Sequence, residues 1–129
     1  MSRRDISNKE DVRELVYSFY EDVRDDQLIG PFFTEYVSID WEMHLPKMVD
    51  FWESVLFATH SYQGNPMRKH LILHQDHPLE AIHFNRWLEL FERKVDELFE
   101  GNRAELAKQR ANSIAMLIQH KINQKINFS

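Results

Sequence analysis

Large aromatic side chains recur along this chain at helical spacing, and that pattern leaves few folds open. Val12, Leu15, Val16, Phe19, Tyr20 and Val23 fall at three- and four-residue steps, which gathers them on one side of a helix but splits them between both faces of a strand. The same steps connect Trp41, Leu45, Met48, Phe51, Trp52, Val55 and Leu56. They recur in Leu79, Ile82, Phe84, Trp87, Leu88, Phe91, Val95 and Leu98, and again in Leu106, Ala107, Ala111, Ile114, Ala115, Ile118 and Ile122. Only three Gly and four Pro interrupt the 129 residues, so rigid side chains dominate over turns. No segment reads as a strand. The expected class is all-α, with four principal helices and a short fifth before the one opening near Leu79.

Local signals place the boundaries. Ser7-Asn8-Lys9-Glu10 has the spacing of a capping box, with Ser7 as cap and Glu10 reaching back, and the helix that follows should end near Asp25. Gly30-Pro31 breaks the pattern, so Phe32 and Phe33 sit on a corner or a single turn of helix. Pro46 is tolerated in a first turn, which predicts a regular helix starting around His44 or Leu45, with His44 facing inward beside Met48, Phe51 and Val55. Thr59 to Lys69 reads as a loop and Met67 to His74 as a couple of helical turns. Gly101 should end the helix that begins near Leu79, and the last helix should run from about Asn102 to a tail fraying from Asn127.

Composition excludes several classes of function. The length suits one domain spanning 1–129 with short polar tails. The formal charge of −5, without a basic stripe, argues against a nucleic-acid partner. The absence of Cys removes disulfides, thiolate metal sites, covalent haem attachment through thioethers and a Cys nucleophile. No apolar leader or membrane-length stretch is present, so the expected compartment is the cytoplasm, with no membrane partner.

Among the seven histidines, His70 has the most suggestive company. It lies between two aromatic-rich helical patterns and follows Arg68 and Lys69 directly. A haem needs one strong axial ligand, aromatic walls and cations for its carboxylates, and this surrounding sequence offers all of them. The competing constellation is His70, His74 and His77, whose steps of four and three suit zinc or non-haem iron on one helical face. Pro78 breaks that face by ending the helix before His77. His60, His83 and His120 read as loop or solvated-face residues, and Phe19 as core packing. Tyr20, His44 and Trp87 are polar groups on the buried sides of three helices, and their convergence would make a small polar spot suited to a ligand with developing negative charge. A third reading treats every aromatic as core and the chain as a helical interaction module.

The ordered set of short motifs resembles the third group of truncated haemoglobins. Phe19-Tyr20-Glu21, Ile29-Gly30-Pro31-Phe32-Phe33, Trp41 to Met48, Asp50-Phe51-Trp52, Tyr62 to Pro66 and His70-Leu71 carry the resemblance, continued by Arg86 to Phe91 and Ala107 to Ala111. It spans roughly Ile6 to Ile118, and the Gly-Gly motifs of the other two groups are absent. The resemblance implies a two-over-two helical sandwich around haem b. His70 would be the proximal ligand, Tyr20 and Trp87 the distal donors, Phe33 the ring wedged at the helical corner and His44 the distal gate. Phe51, Trp52 and Phe91 would line the pocket. Phe32 stands where an Ile often precedes the corner Phe, which predicts a bulkier pocket floor.

These assignments give a five-coordinate iron open to O2, NO or CO. Two hydrogen bonds of about 1 to 1.5 kcal/mol each would raise ligand affinity by roughly one to two orders of magnitude. Retention of that strength suits redox chemistry, detoxification or sensing better than bulk storage. Nitric-oxide dioxygenation or peroxide turnover would need electrons from a separate reductase, because the sequence has no flavin or nicotinamide domain. The protein is expected as a monomer or weak dimer.

Overall fold

The computed structural model describes residues 3–59 and 78–127, with side chains through Ile122. Five helices are present among the described residues: α1 (Lys9–Asp25), α2 (Gly30–Thr34), α3 (Trp41–Phe57), α4 (Ala81–Leu98) and α5 (Asn102–Asn127). No strand occurs among them. The loop expected from Thr59 and the short helix carrying His70 lie almost wholly outside the described residues.

α1 forms from the predicted stripe and buries Val12, Leu15, Val16, Phe19, Tyr20 and Val23. Its cap, however, is Asn8 and not Ser7: the Asn8 side chain accepts from the Asp11 N–H at 2.9 Å. Ser7 instead donates through its backbone N–H to the Asp11 carboxylate at 2.8 Å. An amide cap does the same work as a hydroxyl one residue later.

α3 starts earlier than Pro46 suggests, at Trp41, and Pro46 lies within it. The proline removes the bond that would reach Glu42, whose carbonyl lies in the exposed first turn, so solvent can replace the lost donor. His44 is consequently the fourth helical residue, and its N–H donates to Asp40 O at 2.8 Å. α4 opens two residues after Leu79 and leaves Ile82 55% exposed, while Leu90, outside the expected stripe, is buried. His83 lies half-buried in the first turn of α4, where its Nδ1 accepts from the Glu80 N–H at 2.9 Å and completes a capping box.

The helices form two layers of two. α1 packs on α3, α4 packs on α5, and the layers meet through α1 with α4 and α3 with α5, while α2 turns the chain at the end of α1. Ala104, Ala107, Ala111 and Ala115 are all buried along α5. Their small side chains let the backbones of the second layer approach closely.

Gly101 does not end α4, which closes at Leu98; it precedes α5 at φ 145. A Cβ there would come within 2.5 Å of Asp5 Cγ. The space is needed because Asp5, far away in sequence, caps α5: its carboxylate accepts from Arg103 N–H at 3.0 Å and Ala104 N–H at 2.9 Å. A negative charge at this helix end also complements its dipole. Next to it, the nearly enclosed Asp11 carboxylate pairs with Arg4 and accepts from Ser7. The bond from Arg4 overcomes the opposing effect of burial and holds Asp11 down at about 2.

Two outcomes follow for stability. Asp5→Ala should cost about 1 kcal/mol through loss of the α5 cap, measured by urea unfolding, and Gly101→Ala should be at least as harmful because it combines strain at positive φ with a clash. The contribution of the Asp11 carboxylate is complete above the ordinary carboxylate pKa of about 3.9 and is lost as pH falls toward 2. Unfolding curves between pH 5 and pH 2, a range set by those pKa values, should therefore fall less steeply for Asp11→Asn than for the natural chain.

Candidate functional site

Aromatic rings from its own helix, from α2 and from α3 converge on Tyr20. Position 20 on α1 follows Phe19, and both are buried, at 6% and 1% exposure. The Tyr20 ring meets Phe33 of α2 at 6.0 Å between centroids, Trp41 of α3 at 5.7 Å and His44 of α3 at 5.7 Å. Trp41 lies edge-on to His44 at 5.4 Å and carries the Arg24 guanidinium 4.7 Å above its ring. The half-buried His44 thus faces inward, as its position beside Met48 and Phe51 predicts.

Phe19 extends the group to α4. Its ring is edge-on to Tyr20 at 5.0 Å, to Trp87 at 5.4 Å and to Phe91 at 5.1 Å. Phe91 lies between two indoles, stacked on Trp52 at 4.8 Å and on Trp87 at 5.6 Å, and Phe51 closes on Trp52 at 5.5 Å. The edge-on and stacked geometries match the ring quadrupoles and are worth about 0.5 to 1.5 kcal/mol per pair beyond area burial.

Tyr20, Phe33, His44, Phe51, Trp52, Trp87 and Phe91 therefore belong to one connected group of rings. His70, Arg68 and Lys69 lie outside the described residues, as do His74 and His77 of the competing metal reading. Among the described residues no cluster of three or more His, Cys, Asp or Glu is placed to hold a metal. Phe19 is core packing, as expected, and as a core residue it touches both Tyr20 and Trp87; Trp41, which spacing alone gives no role in the site, touches both Tyr20 and His44. The helical stripe contained both residues, but only the crossing of the helices brings them to the centre. Phe32, expected to make the pocket floor bulkier, packs its ring on Tyr36 at 5.1 Å and His83 at 4.8 Å.

The polar groups of this site have unusual surroundings. The Tyr20 hydroxyl has no hydrogen-bond partner among the described residues, and burial alone pushes its pKa up, so it stays a neutral donor at any ordinary pH. The Trp87 indole N–H likewise has no partner among them. No fully enclosed side-chain N or O atom among the described residues lacks a partner, so the Tyr20 hydroxyl borders open space. A buried phenol left in this way costs stability unless something else accepts from it. Beyond Phe51, an apolar cleft of about 340 Å³ runs between α3 and α5, lined by Val55, Ile114 and Leu117 with Arg110 and Ser113 at its edge.

Two-over-two helical packing around a cluster of aromatic rings at the α1–α2 corner is the arrangement of a truncated globin. The bacterial-like globin family matches residues 4–123, and this chain belongs to that family. It is a haem-binding globin by that membership. Among individual relatives, group 3 truncated hemoglobin ctb from Campylobacter jejuni is 32% identical over 118 residues, covering 89% of this chain and 91% of the relative. The crystal structure of group III truncated hemoglobin from Campylobacter jejuni superposes with a TM-score of 0.81 at 32% identity, covering 93% of this chain and 94% of that one.

An unpartnered hydroxyl contributes nothing to the fold. Tyr20→Phe should accordingly leave thermal unfolding of the protein without a diatomic ligand within about 0.5 kcal/mol of the natural chain, or stabilise it slightly. A loss of 2 kcal/mol or more, the range typical of breaking a buried hydrogen bond, would reveal a partner inside the protein.

Proposed function

We propose that this globin carries haem b on His70 and binds O2, NO or CO on the opposite side of the ring, where Tyr20 and Trp87 donate hydrogen bonds to the ligand. The observation that carries this reading is the Tyr20 hydroxyl: buried, neutral, without a partner among the described residues and bordering open space. The bound haem would supply an iron able to take up a diatomic gas. Phe33, Phe51, Trp52 and Phe91 give that ring apolar walls and exclude water from it. Arg68 and Lys69 are assigned to its carboxylates, and His44 to the entrance beside Tyr20.

The chain's own contribution is electrostatic. Two neutral donors on different helices favour a ligand that accumulates negative charge, and neither can lose its proton near neutral pH. Each hydrogen bond of about 1 to 1.5 kcal/mol raises affinity roughly tenfold. Slow release suits oxygen or nitric-oxide redox chemistry, detoxification or sensing, with electrons from a separate reductase, better than storage. The domain proposed for this role spans 1–129, acts in the cytoplasm, and is a monomer or weak dimer. No helix among the described residues is long and apolar enough to cross a membrane.

Ligation and donation are tested separately. His70→Ala should abolish stable haem uptake, whereas His74→Ala should retain it; normal uptake by His70→Ala would defeat the assignment. Tyr20→Phe and Trp87→Phe should each change oxygen dissociation several-fold in stopped-flow measurements. Unchanged rates in both would remove the donors from the mechanism.

A further inference from the structure

The two proposed donors stand on α1 and α4, and an ion pair fastens the end of α1 to the residue before Trp87. Asp26 directly follows α1, and only 6% of its side chain is exposed. One carboxylate oxygen accepts from Leu28 N–H at 3.1 Å and Ile29 N–H at 3.0 Å, which folds the chain back toward α2. The other accepts from Arg86 Nε at 2.7 Å, and a terminal nitrogen of the same guanidinium lies 2.7 Å from it in the ion pair. The remaining arm of Arg86 donates to Glu89 at 2.9 Å.

The corner held by Asp26 has little slack. Gly30 N–H donates to Asp26 O at 2.9 Å, and a Cβ at Gly30 would lie 2.8 Å from Arg24 O. Pro31, Phe32 and Phe33 follow immediately, so the position of the Phe33 ring against Tyr20 is set by this turn. On the other side, Arg86 immediately precedes Trp87, and a planar guanidinium held at two nitrogens fixes the helical turn that carries the indole. The pair thus spans 60 residues of sequence and links the element behind Tyr20 to the element behind Trp87.

We propose that Asp26 and Arg86 are positioning residues for ligand recognition: their ion pair sets the direction of the Trp87 N–H relative to the Tyr20 hydroxyl. It thereby sets how a diatomic ligand divides its hydrogen bonding between them. The inference rests on the assignment of Tyr20 and Trp87 as donors. Its physical basis is the steep loss of hydrogen-bond strength with misalignment, which makes a small rotation of α4 visible at the ligand while the core stays intact.

Asp26→Asn keeps an oxygen for the Leu28 and Ile29 N–H groups but removes the charge, and Arg86→Lys keeps the charge but removes the fork. In the ferrous CO form of the haem-loaded protein, both should shift the Trp87 indole N–H resonance in two-dimensional NMR, a signal assigned by its loss in Trp87→Phe. Both should also change oxygen dissociation several-fold and add little when combined with Trp87→Phe, because the effect passes through that side chain. An unmoved indole resonance, or full additivity with Trp87→Phe, overturns the positioning role and leaves the donor assignment intact. Natural oxygen kinetics in Trp87→Phe itself would overturn the donor assignment and the inference with it.

Discussion

The ring of Phe19 fixes the relation between the two layers of this globin. It touches Tyr20 on its own helix and both Trp87 and Phe91 on α4, so the two proposed donors are spaced by one rigid side chain. A flexible aliphatic residue at this point would fill volume without holding those directions. Phe91 continues the same logic by stacking against Trp52 and Trp87, which joins α3 to α4 through a face and not an edge. The hydrophobic core and the walls proposed for the haem pocket are therefore drawn from the same set of side chains.

Polar fastenings then act at the ends of the helices. Asp5 caps α5, Asp11 anchors the N-terminal segment through Arg4, and Asp26 ties the α1–α2 corner to α4 through Arg86. The side chains of Asp11 and Asp26 are nearly enclosed, yet their pKa values stay low because cationic and backbone donors compensate for the lost water. Tyr20 presents the opposite case among the described residues: burial without compensation. That contrast within one chain is what supports the proposed donor role of the phenol.

Much of this was legible from residue spacing. The stripes on α1 and α5 name nearly the whole buried face of each helix, and Gly30-Pro31 marks the short turn of α2. The failures are local and have a common cause: a signal judged by its neighbours was answered by a distant residue or by solvent. Gly101 read as a helix terminator, but it makes room for Asp5. Pro46 read as a first-turn residue, but only an exposed carbonyl is left without its donor. His83 read as solvated, yet it caps α4 and meets Phe32. Trp41 and Phe19 entered the site only through helix crossing, which periodicity along one helix does not encode. The assignment of His70 came from sequence company and resemblance, and it lies outside the described residues.

The central claim is that a haem occupies the pocket into which Tyr20 presents its hydroxyl. Absorption spectra of the purified protein in ferric, ferrous and CO-bound forms test it most directly. The account predicts one haem per chain and an intense Soret band that shifts and sharpens when CO is added after reduction. A correctly folded protein that takes up no haem and shows no such band, while binding zinc stoichiometrically, would contradict it.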